Sequence, residues 1–224
     1  MQIRILPSLL AADFGHLADE ARRAESAGAD ELHLDIMDAH LVPNLSMGPA
    51  VVAMADACVD IPLNVHLMMT RPDQYIAPFA DAGATTILIH VEADCDVAAT
   101  LEVIRARGIR AGVALNPGTP AEKAFPYLEA SDELLCMTVE PGYGGQSFMP
   151  EVLPKIREIR DRANEIGKTE LDIMVDGGIN IETACACAAA GANSFVAGTF
   201  LYRGDDMPGL VSRMREIVQA AFKM

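Results

Sequence analysis

The sequence predicts an α/β chain folded as a single closed (β/α)8 barrel, and three observations carry that expectation. Eight short apolar runs of strand type alternate with longer segments of helical spacing along the 224 residues. A small repeat, Ala-Gly-Ala and then a polar residue, stands just before a strand at 27–30, 82–85 and 190–193. No linker, low-complexity tract or charge block interrupts the pattern, so residues 1–224 read as one domain within the size range of a compact barrel. An open, doubly wound sheet is the alternative, but the GxGxxG turn that marks it is absent.

The first strand is expected at 3–6, running into Pro7 and Ser8, with helical spacing following at 14–27. Gly28 then ends the helix, since glycine enters the left-handed conformation that turns the chain back to the sheet. The second strand is expected at 32–36 and the third at 63–67, the latter leading to helical spacing at 73–82. A fourth strand at 86–90 precedes helical spacing at 97–107, and Gly108 introduces the fifth at 111–115. The sixth strand is read at 134–139, the seventh at 171–175 and the eighth at 195–197, with helical spacing at 150–166 and 182–190 between them.

The composition excludes some classes of function. Net charge is −15 and the pI is about 4.6, a poor match to nucleic acid or an anionic membrane. Although 51% of residues are hydrophobic, no apolar run approaches the roughly 20 residues that span a bilayer. The Met-Gln-Ile-Arg start lacks the basic region, apolar stretch and cleavage site of a signal peptide, so a cytoplasmic protein is expected. Five irregularly spaced cysteines without a CxxC pair fit reduced thiols. The apolar excess suggests buried contacts between copies, hence a homo-oligomer.

In such barrels the chemistry lies where strands end. The second strand ends with His33, Asp35 and Met37, the third with His66 and Met68, and the seventh with Asp176. Side chains two apart on a strand share a face, so His33 and Asp35 point the same way, as do His66 and Met68. If that face is the barrel interior, two imidazoles and two carboxylates converge. Buried charges are costly unless paired or bound to a metal, and two His with two Asp suit a divalent zinc, iron, manganese or cobalt ion. His90, ending the fourth strand, is read as barrel filler, His16 as a helix-surface residue, and Asp38 and His40 as loop-shaping residues.

Glycines form a second group. Gly142, Gly144 and Gly145 follow the sixth strand, Gly177 and Gly178 the seventh, and Gly198 the eighth. Such glycines let backbone N–H groups approach an anion closely, and the loops after strands seven and eight are the usual phosphate site of these barrels. The PGYGGQSF loop at 141–148 is flexible enough to serve as a lid.

Taken together, PSLLAAD at 7–13, HLDIMD at 33–38, VPN at 42–44, HLM at 66–68, LNPGT at 115–119, PGYGGQSF at 141–148, VDGGIN at 175–180 and VAG at 196–198 closely resemble the ribulose-phosphate 3-epimerase family, in order from first strand to last. The resemblance implies a TIM barrel that interconverts D-ribulose 5-phosphate and D-xylulose 5-phosphate in the pentose phosphate pathway. Position by position it implies His33, Asp35, His66 and Asp176 as ligands of one divalent ion, and Asp35 and Asp176 also as the acid/base pair. It implies that Ser8 and His66 contact a phosphosugar, and that Met37, Met68 and Met137 cap the reaction plane. Gly142, Tyr143, Gly144, Gly145, Gly177, Gly178, Gly198 and Thr199 would hold the phosphate end.

The chain departs from the family pattern at Ala39, commonly Gly; at Glu140, often Asn; at Tyr143, often Phe; and at Thr199, often Ser. Ala39 and Glu140 border the expected site, where substrate preference is set. An allulose-6-phosphate 3-epimerase is the nearest alternative, towards which TRPDQYI at 70–76 leans, while the glycine pairs at 144–145 and 177–178 lean towards the pentose enzyme. A lyase resembling orotidine-phosphate decarboxylase would need a lysine at a strand end, whereas Lys123, Lys155, Lys168 and Lys223 fall in helices or loops. A non-catalytic phosphosugar-binding barrel is opposed by the two aspartates. The sequence leaves open the ion's identity, the oligomeric state, the preferred ketose phosphate and any regulation.

Overall fold

Every residue of strand β2 (Leu32–Met37) is buried, yet alternate side chains go to different places. Leu32, Leu34 and Ile36 join the apolar layer beneath the helices, while His33, Asp35 and Met37 face inward. The same division holds around the molecule, because a parallel sheet covered by helices is buried on both faces. The computed structural model describes residues 1–222; Lys223 lies outside them. Its other strands are β1 (Arg4–Pro7), β3 (Leu63–Met68), β4 (Thr86–His90), β5 (Arg110–Leu115), β6 (Glu133–Met137), β7 (Asp172–Asp176) and β8 (Ser194–Ala197). All pair in parallel in the order β1-β8-β7-β6-β5-β4-β3-β2, and a parallel bridge between Ser8 and His33 brings the two ends together.

The helices are α1 (Leu17–Ser26), α2 (Pro49–Asp56), α3 (Ile76–Asp81), α4 (Val97–Ala106), α5 (Leu153–Glu165), α6 (Ile181–Ala189), α7 (Thr199–Tyr202) and α8 (Met207–Phe222). Their ends follow local chemistry. Asp96 caps α4 by accepting from the amide of Ala99 at 3.0 Å, and Asn180 and Thr183 form a reciprocal capping box on α6. Gly28, Gly83, Gly108 and Gly191, the repeat glycines, all take positive φ where helices turn into strands. Helix α8 buries Met207, Val211, Met214 and Val218 along one face, a stripe worth roughly 1.5–3 kcal/mol per side chain.

Two segments differ from the expected helices. Phe14–His16 is a short 3-10 turn, capped by Asp13 accepting from the amide of Gly15 at 2.8 Å, and α1 starts only after it. Between β5 and β6 no α-helix forms; the chain makes two 3-10 turns, Ala121–Lys123 and Phe125–Tyr127. Pro117, Pro120 and Pro126 explain this, since proline lacks an amide donor and keeps the preceding residue out of the helical region.

The barrel interior is layered. At its N-terminal end Arg4 donates to Glu31 at 2.7 Å and Glu133 at 3.3 Å, and also pairs with Asp172. Buried Asn64 donates to Glu133 at 2.7 Å. Above this charged floor an apolar layer of Leu6, Leu88, Ala114, Leu135, Met174 and Val196 fills the centre. The C-terminal mouth is left for polar groups.

Candidate metal and substrate site

His33 and Asp35 from β2, His66 from β3 and Asp176 from β7 offer one ligand atom each, all within 4.8 Å of one another. The inward parity of β2 and β3 places the first three, because Asp35 pairs with His66 in the strand register. Oδ1 of Asp35 lies 3.3 Å from His33 Nε2 and 3.2 Å from His66 Nδ1. Its other oxygen accepts from the Ser8 hydroxyl at 2.5 Å. His33 Nδ1 lies 3.1 Å from Oδ1 of Asn64. Nε2 of His33 is buried without a hydrogen-bond partner, although Oδ1 of Asp35 lies 3.3 Å away. An unpartnered imidazole nitrogen facing two carboxylates is what a metal ligand needs, so this donor set fits a divalent ion such as zinc, iron, manganese or cobalt.

The charges interact strongly. Burial works against a charged His33, but the carboxylates of Asp35, Asp176 and Glu133 outweigh it and lift the imidazole to about 9. Burial likewise disfavours the Asp35 carboxylate, yet His33 and His66 together hold it far below the usual carboxylate range. Burial first, and then the charge of Asp35, pushes Asp176 up to about 7. Burial brings His66 down to about 4.

Over the cluster opens a cavity of about 310 Å³. Asp35 and Asp176 stand in its wall, with Ser8 beside them and Met37, Met68 and Met137 covering the apolar side. Much of the rim is glycine-rich backbone from 142–145, 177–178 and 198, with Thr199, and Gln146 and Asn180 add polar side chains. No lysine or arginine lines it among the described residues. Gly178 takes φ +64°, and a Cβ there would come within 2.6 Å of the Phe148 amide nitrogen; the turn after β7 therefore requires glycine. A Cβ on Gly144 would meet nothing within 4 Å, so that glycine leaves open space rather than relieving a clash.

The Ribulose-phosphate 3 epimerase family model matches residues 4–202. The chain belongs to the ribulose-phosphate 3-epimerase family. Ribulose-phosphate 3-epimerase of Bacillus subtilis is 45% identical over 213 residues, 95% of this chain and 98% of that one. The cytoplasmic isoform from Oryza sativa subsp. japonica is 43% identical over 222 residues, covering 97% and 95% of the two chains. The chain is accordingly an isomerase of the epimerase class. Among solved structures, KGPDC from Streptococcus mutans superposes with a TM-score of 0.73 at 13% identity, covering 99% of this chain and 100% of that one, a likeness of fold.

Every residue that the epimerase resemblance pointed to lies at this one mouth, with His33 and His66 fully buried beneath the cavity and the others lining it. Of the four departures from the epimerase pattern, Tyr143 and Thr199 line the cavity, whereas Ala39 and Glu140 do not reach it. Ala39 and Glu140 are exposed, and neither side chain, nor the segment 70–76, lines the cavity. Asp38 shapes its loop as expected, accepting from the amides of His40, Leu41 and Thr70 at 2.7–2.9 Å. Lys155 comes near the strand ends, but its amine donates to the carbonyls of Asn116 and Pro117 at 2.8 and 2.7 Å and stays outside the cavity.

Reading the sequence missed two sets of residues. His90 fills the barrel interior as expected, fully buried, but its Nε2 also lies 2.8 Å from Nε2 of His66. The floor residues Arg4, Asn64 and Glu133 connect to the cluster through the Asn64–His33 contact. Strand parity was the available signal: residues 64, 66 and 68 share a face, as do 133, 135 and 137.

Proposed function

We propose that this epimerase interconverts D-ribulose 5-phosphate and D-xylulose 5-phosphate by moving the C3 proton between two carboxylates through an enediolate, with a divalent ion held by His33, Asp35, His66 and Asp176. The observation that supports it best is the approach of Asp35 from β2 and Asp176 from β7, strands separated around the barrel by β1 and β8, to one cavity. A planar enediolate between them is reached by one carboxylate on each face. One removes the proton, the other returns one to the opposite side, and the configuration at C3 inverts. Each positioned transfer is worth about 10²–10⁴-fold.

The bound ion would supply Lewis-acid polarisation of the C2 ketone, which acidifies the C3–H. The chain's own groups do the rest. Ser8 donates to Asp35 and fixes which oxygen is free. Met37, Met68 and Met137 exclude water without hydrogen-bonding the intermediate. Backbone amides of the glycine turns and of Thr199 receive the phosphate, which fits a rim without lysine or arginine.

The same reading carries a cytoplasmic, self-associating enzyme whose whole length, 1–224, is one barrel domain. No helix among the described residues is long and apolar enough to cross a membrane, and the rice relative is named a cytoplasmic isoform. A coupled assay of metal-reconstituted protein on D-ribulose 5-phosphate, following xylulose 5-phosphate, tests the activity; robust turnover is expected. Preference for allulose 6-phosphate over the pentose would replace the substrate, and folded, metal-loaded protein inactive on both would sink the proposal.

A further inference from the structure

We propose that Glu92 and His90 form a positioning relay that presents Nδ1 of His66 to the ion; this rests on the metal reading above. The chain of contacts is continuous. Glu92, just beyond β4, accepts at Oε1 from the amide of Asn116 at 2.9 Å and from the Thr119 hydroxyl. Its Oε2 lies 3.1 Å from Nδ1 of His90. Nε2 of His90 lies 2.8 Å from Nε2 of His66, and the two rings stack with centroids 5.0 Å apart at 18°. Nδ1 of His66 faces Asp35. Both imidazoles are fully buried, and neither His90 nor Glu92 lines the cavity, so their effect on chemistry passes through His66.

Proton positions follow from what each group is able to do. A carboxylate only accepts, so Nδ1 of His90 carries hydrogen. Of two facing ring nitrogens 2.8 Å apart one donates and the other accepts; the relay puts the hydrogen on Nε2 of His66 and the lone pair on Nε2 of His90. That leaves the lone pair of His66 on Nδ1; the Asp35 carboxylate 3.2 Å away cannot donate to it, so this arrangement holds when both atoms serve as ligands of the ion. A nitrogen that ligates a metal carries no hydrogen, and the carboxylate–imidazole chain behind it fixes the tautomer and the ring orientation.

Glu92→Gln reverses the relay with little change of shape. The amide of Asn116 is an obligate donor, so the glutamine oxygen must face it. The glutamine NH2 then points at Nδ1 of His90, which becomes the acceptor. His90 must donate from Nε2, and the proton of His66 moves to Nδ1, against the ion. Zinc affinity measured by competition with a chromogenic chelator should be 10–100-fold weaker in the Glu92→Gln protein than in the parent, with the thermal transition of the metal-free proteins unchanged. In the zinc-loaded parent, two-bond ¹H–¹⁵N correlations of labelled histidine should show His66 protonated at Nε2. Parent-like zinc affinity in Glu92→Gln, or a proton on Nδ1 of His66 in the loaded parent, would overturn the relay, and the second measurement decides even where the variant fails to fold. Absence of tight zinc binding in the parent would overturn the metal reading and the relay with it, whereas tight parental binding left unchanged by the substitution overturns the relay alone.

Discussion

Oδ1 of Asp35 sits between His33 Nε2 at 3.3 Å and His66 Nδ1 at 3.2 Å, and its charge, added to burial, raises the carboxyl of Asp176 across the cluster to about 7. Two carboxyl groups of one site are thereby pushed apart, the arrangement from which an acid and a base are made at one pH. Asp176→Asn should therefore lower turnover by about 10²–10⁴-fold. The fold should persist, because the substitution removes an ionisable group that is disfavoured where it stands. Steady-state rates beside a thermal melt check both, and parent-like rates would end the two-carboxylate scheme.

Ala39 is the one non-glycine residue with positive φ among the described residues, at +60°. A left-handed alanine costs roughly 1–2 kcal/mol, partly offset by the lower entropy that alanine gives the unfolded chain. Ala39→Gly should stabilise the protein by about 0.5–1 kcal/mol, a rise in melting temperature of about 2 °C at this chain length. Because the side chain lies outside the cavity, substrate preference should stay as it is. A lower melting temperature would show that the strain argument is mistaken.

The glycine loop is tied across the mouth. The Tyr143 hydroxyl donates to the carbonyl of Pro43 at 2.8 Å, and Asn44 donates to the carbonyl of Gly142 at 2.7 Å. Tyr143→Phe deletes the first contact and keeps the ring. A hydrogen bond of this kind contributes about 0.5–1.5 kcal/mol, so KM should rise about threefold to tenfold with a smaller change in kcat. An unaltered KM would mean that the tie does not govern closure.

The floor of the barrel sets Arg4 and Arg110 against Glu31, Glu133 and Asp172. With one more carboxylate than guanidinium, burial raises Glu133 from 4.5 to about 7 despite the opposing pull of Arg4. Unfolded, the group releases its proton near 4.5; folded, it keeps it until about 7. The native state thus binds more protons across that window, and stability falls as pH rises through it. Below the window there is no penalty; above it the penalty is constant. Glu133→Gln removes this titration, so the variant should lose less stability than the parent between about pH 5 and pH 8, measured by urea denaturation. Identical losses would place the proton elsewhere in the cluster.

Much of the site was legible because strand parity is a strong rule. The alternation in 32–37 puts His33 and Asp35 on the inner face, and 66–68 does the same for His66 and Met68. Parity also points His90 inward, but not towards which neighbour; its meeting with His66 depends on how far the two side chains reach across adjoining strands. Arg4, Asn64 and Glu133 were hidden for a similar reason. Arg4 is a lone polar residue in an apolar run, Asn64 stands two places before His66, and Glu133 ends the polar stretch 131–133; their mutual pairing exists only once distant strands are side by side. The missing helix between β5 and β6 was readable from its prolines, but a tally of eight strand-then-helix units passed over them. Ala39 and Glu140 drew suspicion from their place in sequence beside site residues, while the chain turns both outward.

The Ser8–His33 bridge that closes the barrel has a bearing on biosynthesis. Three of the four donors, His33, Asp35 and His66, leave the ribosome within the first third of the chain. The fourth, Asp176, follows only after most of it has been made, and β1, which carries Ser8 to Asp35, finds its ladder partner only when β8 emerges. A truncated product that ends before β7 holds three donors and an Asp35 with no carboxylate opposite, and one that ends before β8 lacks Gly198 and Thr199 of the rim, so no N-terminal fragment short of nearly full length contains the complete site.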